Sequence, residues 1–146
     1  MSVFNTLRIS GSALTAERLR MDVIANNVAN SQTTRTAEGG PYQRQQVVFS
    51  PQSSSSPGAF AAALRGEPNL STGVRVAELV TDSQPGRTIY DPTHPDADEE
   101  GFVEMPNVDL VTELVDMMSA RRAYQANTTV IQATKDMARS ALEIGR

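Results

Sequence analysis

Residues 108–144 read VDLVTELVDMMSARRAYQANTTVIQATKDMARSALEI, a stretch with neither Pro nor Gly. Along it, residues recur at intervals of seven on one line: Leu110, Met117, Tyr124, Ile131 and Ala138. This spacing is typical of one continuous amphipathic helix. Leu114 and Leu142 widen the apolar face beyond what a two-stranded seam requires. The preceding Pro106-Asn107 predicts a helix start with Asn107 as the N-cap.

The amino-terminal stretch, residues 3–30, repeats this pattern without Pro and with a single Gly. Its line of seven-residue intervals runs through Leu7, Leu14, Met21 and Val28. Ile24 lies beside the line and widens it. We therefore predict a second long helix. It should end near Asn30, because Asn tolerates the left-handed conformation that closes many helices.

The segment between the two helices has a different composition. Residues 39–106 contain all eight prolines and show short alternating runs, with strands predicted over residues 45–49 and 74–81. The Ser-rich stretch that begins at Pro51 predicts a mobile loop near residues 51–70. The predicted fold is therefore α+β. It divides into an N-terminal helical segment (1–35), a β-rich insert (36–106) and a C-terminal helix (107–146).

Composition argues against several classes of protein. The net charge is −4, aromatic residues make up 5% of the chain, and Trp and Cys are absent. No dense run of Lys and Arg is present, so nucleic acid is not an expected partner. The lack of Cys excludes disulfides and thiolate metal sites. The first residues do not resemble a signal peptide, and we expect neither a cleaved signal nor a membrane span.

Residues that could carry chemistry are few. His94 is the only histidine, and neither a nucleophile elbow nor a phosphate loop is present, so we expect no enzyme, cofactor or small-molecule substrate. A calcium loop is the closest alternative, because the spacing of Gly101 and four nearby carboxylates partly follows such a loop, namely Asp96, Asp98, Glu100 and Glu104. The twelfth loop position is Asn107 instead of a bidentate Glu, so we predict no metal ligands. A metal-binding regulatory module that dimerises through the helices is the alternative function.

The two apolar stripes could be covered in two ways, by pairing within one chain or by contact with further copies. The middle segment is too small to cover both stripes, and helices draw most of their stability from packing. A helix lying on a membrane is disfavoured because the polar faces are not rich in Lys. Periodicity alone favours neither of the two ways. If further copies cover the stripes, the predicted assembly interface consists of Leu7, Leu14, Met21, Ile24, Val28, Leu110, Leu114, Met117, Tyr124 and Ile131.

Short motifs in the sequence favour assembly with further copies. The run Ala25-Asn26-Asn27-Val28-Ala29-Asn30 resembles the N-terminal signature of flagellar rod and hook proteins. The run Tyr90-Asp91-Pro92-Thr93-His94-Pro95, followed by Pro106-Asn107, is similar to a stretch of the proximal-rod members. Gln125-Ala126-Asn127 resembles the family's C-terminal helix. From the residues alone, Asn26, Asn27 and Asn30 are expected to cap the helix or form turns, in preference to contacting a neighbouring subunit.

The resemblance implies a structural subunit of the flagellar basal-body rod that transmits torque. It implies that the terminal helices pair as a coiled-coil-like hairpin in the wall of a tube, with the β insert outside. It also implies export through the flagellar type III apparatus without cleavage, and a location in the rod that crosses the periplasmic space. The implied partners are further copies, other rod proteins, the rod-base adaptor and the membrane-ring complex.

Overall fold

Two long helices flank a small β-rich insert in the computed structural model, which describes residues 3–52 and 73–144. The elements in chain order are α1 (Val3–Ala29), β1 (Gln45–Pro51), β2 (Val74–Thr81), β3 (Thr88–Tyr90), β4 (Phe102–Glu104) and α2 (Leu110–Ile144). The α+β prediction is confirmed. Within the described residues, neither helix has a segment long and apolar enough to span a membrane. The predicted mobile loop falls almost wholly on residues 53–72, outside the described residues.

Helix α2 begins later than predicted, and its cap is a different residue. The Asp109 carboxylate accepts hydrogen bonds from the backbone N–H of Val111 (3.1 Å) and the hydroxyl of Thr112 (2.7 Å). The hydrogen bond from Thr112 is the main reason that the pKa of Asp109 is lowered. The prediction that Asn107 is the N-cap is therefore wrong. Asp and Asn cap equally well, so local sequence did not separate the two.

The strands form two small two-stranded sheets, β1 with β2 and β3 with β4. Backbone bonds join Gln52 N to Gly73 O and Asp82 N to Arg44 O, both 2.8 Å, so the start of one strand lies against the end of the other. The β1–β2 pair is therefore antiparallel. Strands β3 and β4 are also antiparallel. They have three residues each, too few for the alternation that predicted β1 and β2.

The described residues divide into two compact units. One unit draws on residues 3–19, 48–52, 73–78 and 121–144. In it, the Ser12 hydroxyl of α1 accepts a hydrogen bond from Val74 N at 3.1 Å. Gly73 has a φ of +137°, and a Cβ there would lie 2.4 Å from Ser12 Oγ. Only glycine fits this approach of the chain to α1.

The other unit draws on Arg20–Val47 and Leu79–Ala120. It contains the end of α1, the start of α2, and the β3–β4 sheet. The buried apolar residues of this unit are few: Val23, Ile24, Val103 and Ala120. Its interior also contains two fully buried polar side chains, Asn27 and Glu113. The division into three sequence segments stays a prediction.

The buried line of α2 keeps the seven-residue interval but is shifted by three residues. Glu113, Ala120 and Thr134 are buried, and Asn127, on the same line, is half-buried. These side chains are small or polar, and the Thr134 hydroxyl donates to the Val130 carbonyl of its own helix at 2.7 Å. The larger apolar side chains of α2 therefore lie outside the buried line.

Candidate functional site

A cluster of buried polar side chains joins α1, β1 and α2 within one unit. At its centre, Asn27 is 1% exposed. Its Nδ2 donates to the Gln45 carbonyl (2.8 Å) and to Glu113 Oε2 (3.0 Å). Its Oδ1 accepts from Gln45 N (3.0 Å) and from the Tyr42 hydroxyl (3.0 Å). Every donor of this amide and both sides of its carbonyl are used, as burial of a polar group requires.

Arg44 supplies the positive charge of this cluster. Its Nε donates to Glu113 Oε1, and its Nη2 lies 3.2 Å from Asp116 Oδ2. Glu113 is 0% exposed, so removal of Arg44 would leave a buried carboxylate without its counterion. Asp116 also meets Arg20 of α1 at 3.7 Å. The ion pairs therefore connect both helices to the first strand.

Asn107 and Tyr42 complete the cluster. The Asn107 side chain accepts from Arg44 N (2.7 Å) and donates to the Asp82 carbonyl (2.9 Å). Asn107 thus joins Arg44, the residue before β1, to Asp82, the residue after β2, and does not cap α2. Burial raises the pKa of Tyr42, and the nearby Glu113 carboxylate raises it further. Both effects disfavour a charged phenolate and keep the hydroxyl available as a donor to Asn27.

These contacts decide what the asparagines near the end of α1 do. Asn30 Nδ2 donates to the Asn26 carbonyl at 2.9 Å, which is a helix-end role. Asn27 caps nothing, so the capping interpretation is wrong for that residue. It also does not reach outward, because it is buried within the chain. Asn27 lies one helical turn after Val23 and therefore on the same face of α1. Because Val23 is apolar, this spacing is the feature of the sequence that could have predicted the burial of Asn27.

The connector between β3 and β4 does not converge on a metal. Asp91 accepts from the backbone and hydroxyl of Thr93, and Asp98 accepts from the backbone N–H of Glu100 and Phe102. The Thr93 hydroxyl is the main cause that lowers the pKa of Asp91. Residues 3–52 and 73–144 contain no group of three or more potential ligands that could hold a metal ion. The calcium alternative therefore gains no support from these turns.

The predicted motif residues are spread over several environments. Two are buried, namely Asn27 and Pro106. Five are half-buried, namely Asn30, Asp91, His94, Asn107 and Asn127. The exposed ones are Ala25, Asn26, Tyr90, Pro92, Pro95, Gln125 and Ala126. The structure brings Asn27 into the buried cluster, which Asn107 borders through Arg44 N, and leaves Gln125 and Ala126 on the surface.

The predicted interface residues also divide by exposure. Ile24 is buried within the chain, whereas Leu110 and Leu114 are exposed. The half-buried members are Leu7, Leu14, Met21, Val28, Met117, Tyr124 and Ile131. Sequence reasoning missed Tyr42 and Arg44, because isolated polar residues before a strand carry no pattern. The sequence could have singled out Glu113, because this residue stands three positions after Leu110 and places a carboxylate within the apolar pattern of the helix.

The first turns of α2 present an unbroken apolar surface, which we call the outer face. It consists of Leu110, Val111, Leu114, Val115 and Met118, all exposed. Val111 is 69% exposed. At 3.6 residues per turn, Val111, Val115 and Met118 lie opposite the buried line through Glu113 and Ala120, whereas Leu110 and Leu114 lie on its flank. Contiguous exposed apolar surfaces are typical of places where proteins bind one another.

Comparison with known proteins agrees with a role in assembly. The family described as "Flagella basal body rod protein" matches residues 7–35, and "Flagellar basal body rod FlgEFG protein C-terminal" matches residues 99–144. The flagellar basal-body rod protein FlgC of Borreliella burgdorferi is 47% identical over 150 aligned residues, covering 99% of this chain and 98% of that protein.

Two further FlgC proteins align over the full length of both chains. That of Bacillus subtilis is 43% identical, and that of Salmonella typhimurium is 39% identical. The predicted resemblance of this chain to flagellar rod proteins is thereby confirmed for the chain as a whole. The chain belongs to the FlgC family of flagellar basal-body rod proteins.

Proposed function

We propose that this chain is a structural subunit of the flagellar basal-body rod and that the outer face of α2 joins it to neighbouring subunits. The observation that carries the proposal is the inverted distribution of side chains on α2. Small and polar residues occupy its buried line, while Leu, Val and Met side chains face outward. Family membership supplies the structure in which such an outward apolar face would be covered.

The outer face is large enough to drive association. Each of its five side chains retains about half or more of its surface. Burial of the rest would contribute about 1 kcal/mol per side chain, or roughly 5 kcal/mol in all. The half-buried residues of α1, such as Leu7 and Leu14, would add to this in the assembly. On this proposal, α1 and α2 form a coiled-coil-like wall together with the helices of neighbouring copies.

The proposal includes a route and a location. The subunit is exported by the flagellar type III apparatus without cleavage and becomes part of the rod that crosses the periplasmic space. Its neighbours are further copies, other rod proteins, the adaptor at the rod base and the membrane-ring complex. The work of such a subunit is mechanical. It transmits torque through packed helices and requires no cofactor or substrate.

Deletion of the gene in its own host tests the role. We expect cells that do not swim and isolated basal bodies that lack a rod in electron micrographs. Expression of the wild-type chain from a plasmid should restore both. Normal swimming and complete rods in the deletion strain would refute the proposed function.

Substitutions in the outer face test the surface. Leu110→Asp and Leu114→Asp place a charge on exposed positions, so the chain should fold normally but fail to restore swimming. Gln132→Asp is the matched control, because it adds the same charge at an exposed polar position of the same helix. Circular dichroism of the purified variants establishes folding. Full swimming with Leu114→Asp would exclude the outer face as an interface.

A further inference from the structure

The outward face of the β3–β4 sheet has no role in the contacts described so far. Tyr90 pairs with Phe102 across the two strands, and Thr88 pairs with Glu104 on the same face. The two rings meet edge to face, with centroids 5.3 Å apart. Tyr90 is 64% exposed. The opposite face carries Val103, which is buried, so the aromatic pair is not needed for the interior.

This outward face forms one side of an open groove of about 700 Å³. Phe102 and Glu104 line it from the sheet, and Asp96 and Asp98 line it from the connector. Among the described residues, Arg35 is the only Lys or Arg that lines the groove, and its Nη1 lies 3.6 Å from Asp96 Oδ1. Among the described residues, the Glu104 carboxylate has no hydrogen-bond or ion-pair partner. The groove therefore combines an aromatic surface with uncompensated negative charge.

Gly101 holds the aromatic pair in place. It has a φ of +84°, and a Cβ at this position would lie 2.9 Å from the Tyr90 ring. The backbone amide of Asp91 also bonds to the Gly101 carbonyl at 2.9 Å. The Tyr90 ring thus lies against the Gly101 backbone and the Phe102 ring. Contacts that restrict a side chain in the free protein reduce the entropy that it loses on binding.

The charge of the chain is strongly segregated around this groove. Residues 88–104 contain six of the 17 acidic residues and none of the 13 Lys and Arg. Since the whole chain carries −4, the other 129 residues carry +2. On α2, the run from Met117 to Lys135 contains three cations and no acid. Arg121 and Arg122 of this run are exposed and have no ion-pair partner among the described residues.

We propose that the groove beside Tyr90 and Phe102 receives Arg121 and Arg122 from α2 of a second copy of this chain. A guanidinium group can stack on an aromatic ring and pair with a carboxylate at the same time, which suits the combination of Phe102 and Glu104. Met118 lies on the same side of α2 as the two arginines and adds an apolar contact. The occupant is thus a basic helical segment.

The contact joins two different surfaces of the same chain, the groove of one copy and the helix of the next. Such a head-to-tail contact does not close on itself in a pair. It continues from copy to copy, as a ring or an open helical array. The inference rests on the proposed function, because it specifies how successive rod subunits recognise each other.

Crosslinking in the native host tests the contact, and the chain has no Cys of its own. Thr88→Cys and Gln125→Cys are introduced together into the only copy of the gene. Thr88 lies across the strand pair from Glu104 and Gln125 lies one turn after Arg122, so the proposed charge pair stays intact. Basal bodies are then treated with a short bis-maleimide, which spans a longer distance between Cα atoms than a disulfide permits. We expect dimers and larger products. Thr88→Cys with Arg139→Cys is the control, since Arg139 is an exposed position further along α2, and should give monomers only.

Mixed expression separates contacts between copies from contacts within one. A strain that makes the two single Cys variants side by side should give the dimer alone. Product in the double variant but none in the mixture would overturn the proposal, as would crosslinks to a different protein in mass spectra. A second readout uses charge: Arg122→Glu should abolish swimming, and Glu104→Arg in the same chain should restore it.

The outcomes for the two proposals differ. If the deletion strain swims normally, the proposed function fails. If the deletion strain does not swim, the Cys variants swim before treatment and no dimer forms, the rod role stands and this docking contact is refuted.

Discussion

The buried ion pair between Arg44 and Glu113 allows a sharp test of what holds the second unit together. Arg44→Met keeps the aliphatic stem but leaves the carboxylate of Glu113 with Asn27 as its only donor among the described contacts. Asp116 keeps its contact with Arg20. Removal of one partner from a buried pair costs about 3–5 kcal/mol. We therefore expect the free energy of unfolding to fall by that amount, a large share of the total for a small domain.

Urea unfolding followed by circular dichroism measures this change at a concentration where sedimentation shows a monomer. With a slope of about 2 kcal/mol per molar urea, the midpoint should fall by roughly 2 M. Arg35→Met is the matched control. It breaks the ion pair with Asp96, in which the Arg35 side chain is 77% exposed, and should change stability by less than about 0.5 kcal/mol.

The double variant Arg44→Met with Glu113→Leu distinguishes a buried pair from two independent contacts. Replacement of both partners by apolar side chains removes the unpaired charge. The double variant should therefore be no less stable than Arg44→Met alone, although Asn27 loses one acceptor. Strict additivity of the two single changes, or a loss below about 1 kcal/mol in Arg44→Met, would refute the reasoning.

Three further predictions concern single contacts. Asp109→Ala should destabilise the chain at pH 7; because the lowered pKa makes the cap's contribution complete only above the unfolded value near 3.8, urea curves at pH 3 should show a smaller difference. Tyr42→Phe should lower the free energy of unfolding by about 1 kcal/mol, since it removes the donor to Asn27 Oδ1; an unchanged midpoint would exclude this bond as a contributor. Gly73→Ala should cost about 1–3 kcal/mol through its positive φ and its clash with Ser12, and Ser12→Gly should recover part of that loss in thermal melts.

The helices and the two longer strands could be predicted from the sequence because their periodicity is local. Helix α1 was expected to end near Asn30 and ends at Ala29, and β2 spans Val74–Thr81 as predicted. The first residue of α2 could not be predicted correctly from the local sequence, because Asn107 and Asp109 are equally good N-cap residues. The difference arises from tertiary contacts, since Asn107 binds Arg44 and Asp82.

The buried cluster could not be predicted in the same way. Its members come from positions 27, 42, 44 and 113, and no spacing rule relates them. Their pairing depends on how α1, β1 and α2 meet. The residues on the line through Leu110 and Met117 recur every seven positions, but periodicity alone does not say which of two neighbouring lines is buried. The structure buries the line of small and polar side chains through Glu113 and Ala120.

The amide of Asn27 has a consequence for the accuracy of folding. Sequences that repeat every seven residues can pair in several alignments, because a slip by one turn or one heptad replaces Leu with Leu or Met. Such a slip would leave the polar atoms of Asn27 and the carboxylate of Glu113 buried without their hydrogen-bond partners. The free energy of a misaligned form is therefore raised far more than the loss of apolar contacts alone would raise it. The hydrogen bonds of Asn27 therefore favour one alignment of the two helices within a single chain, before that chain contacts a neighbouring subunit.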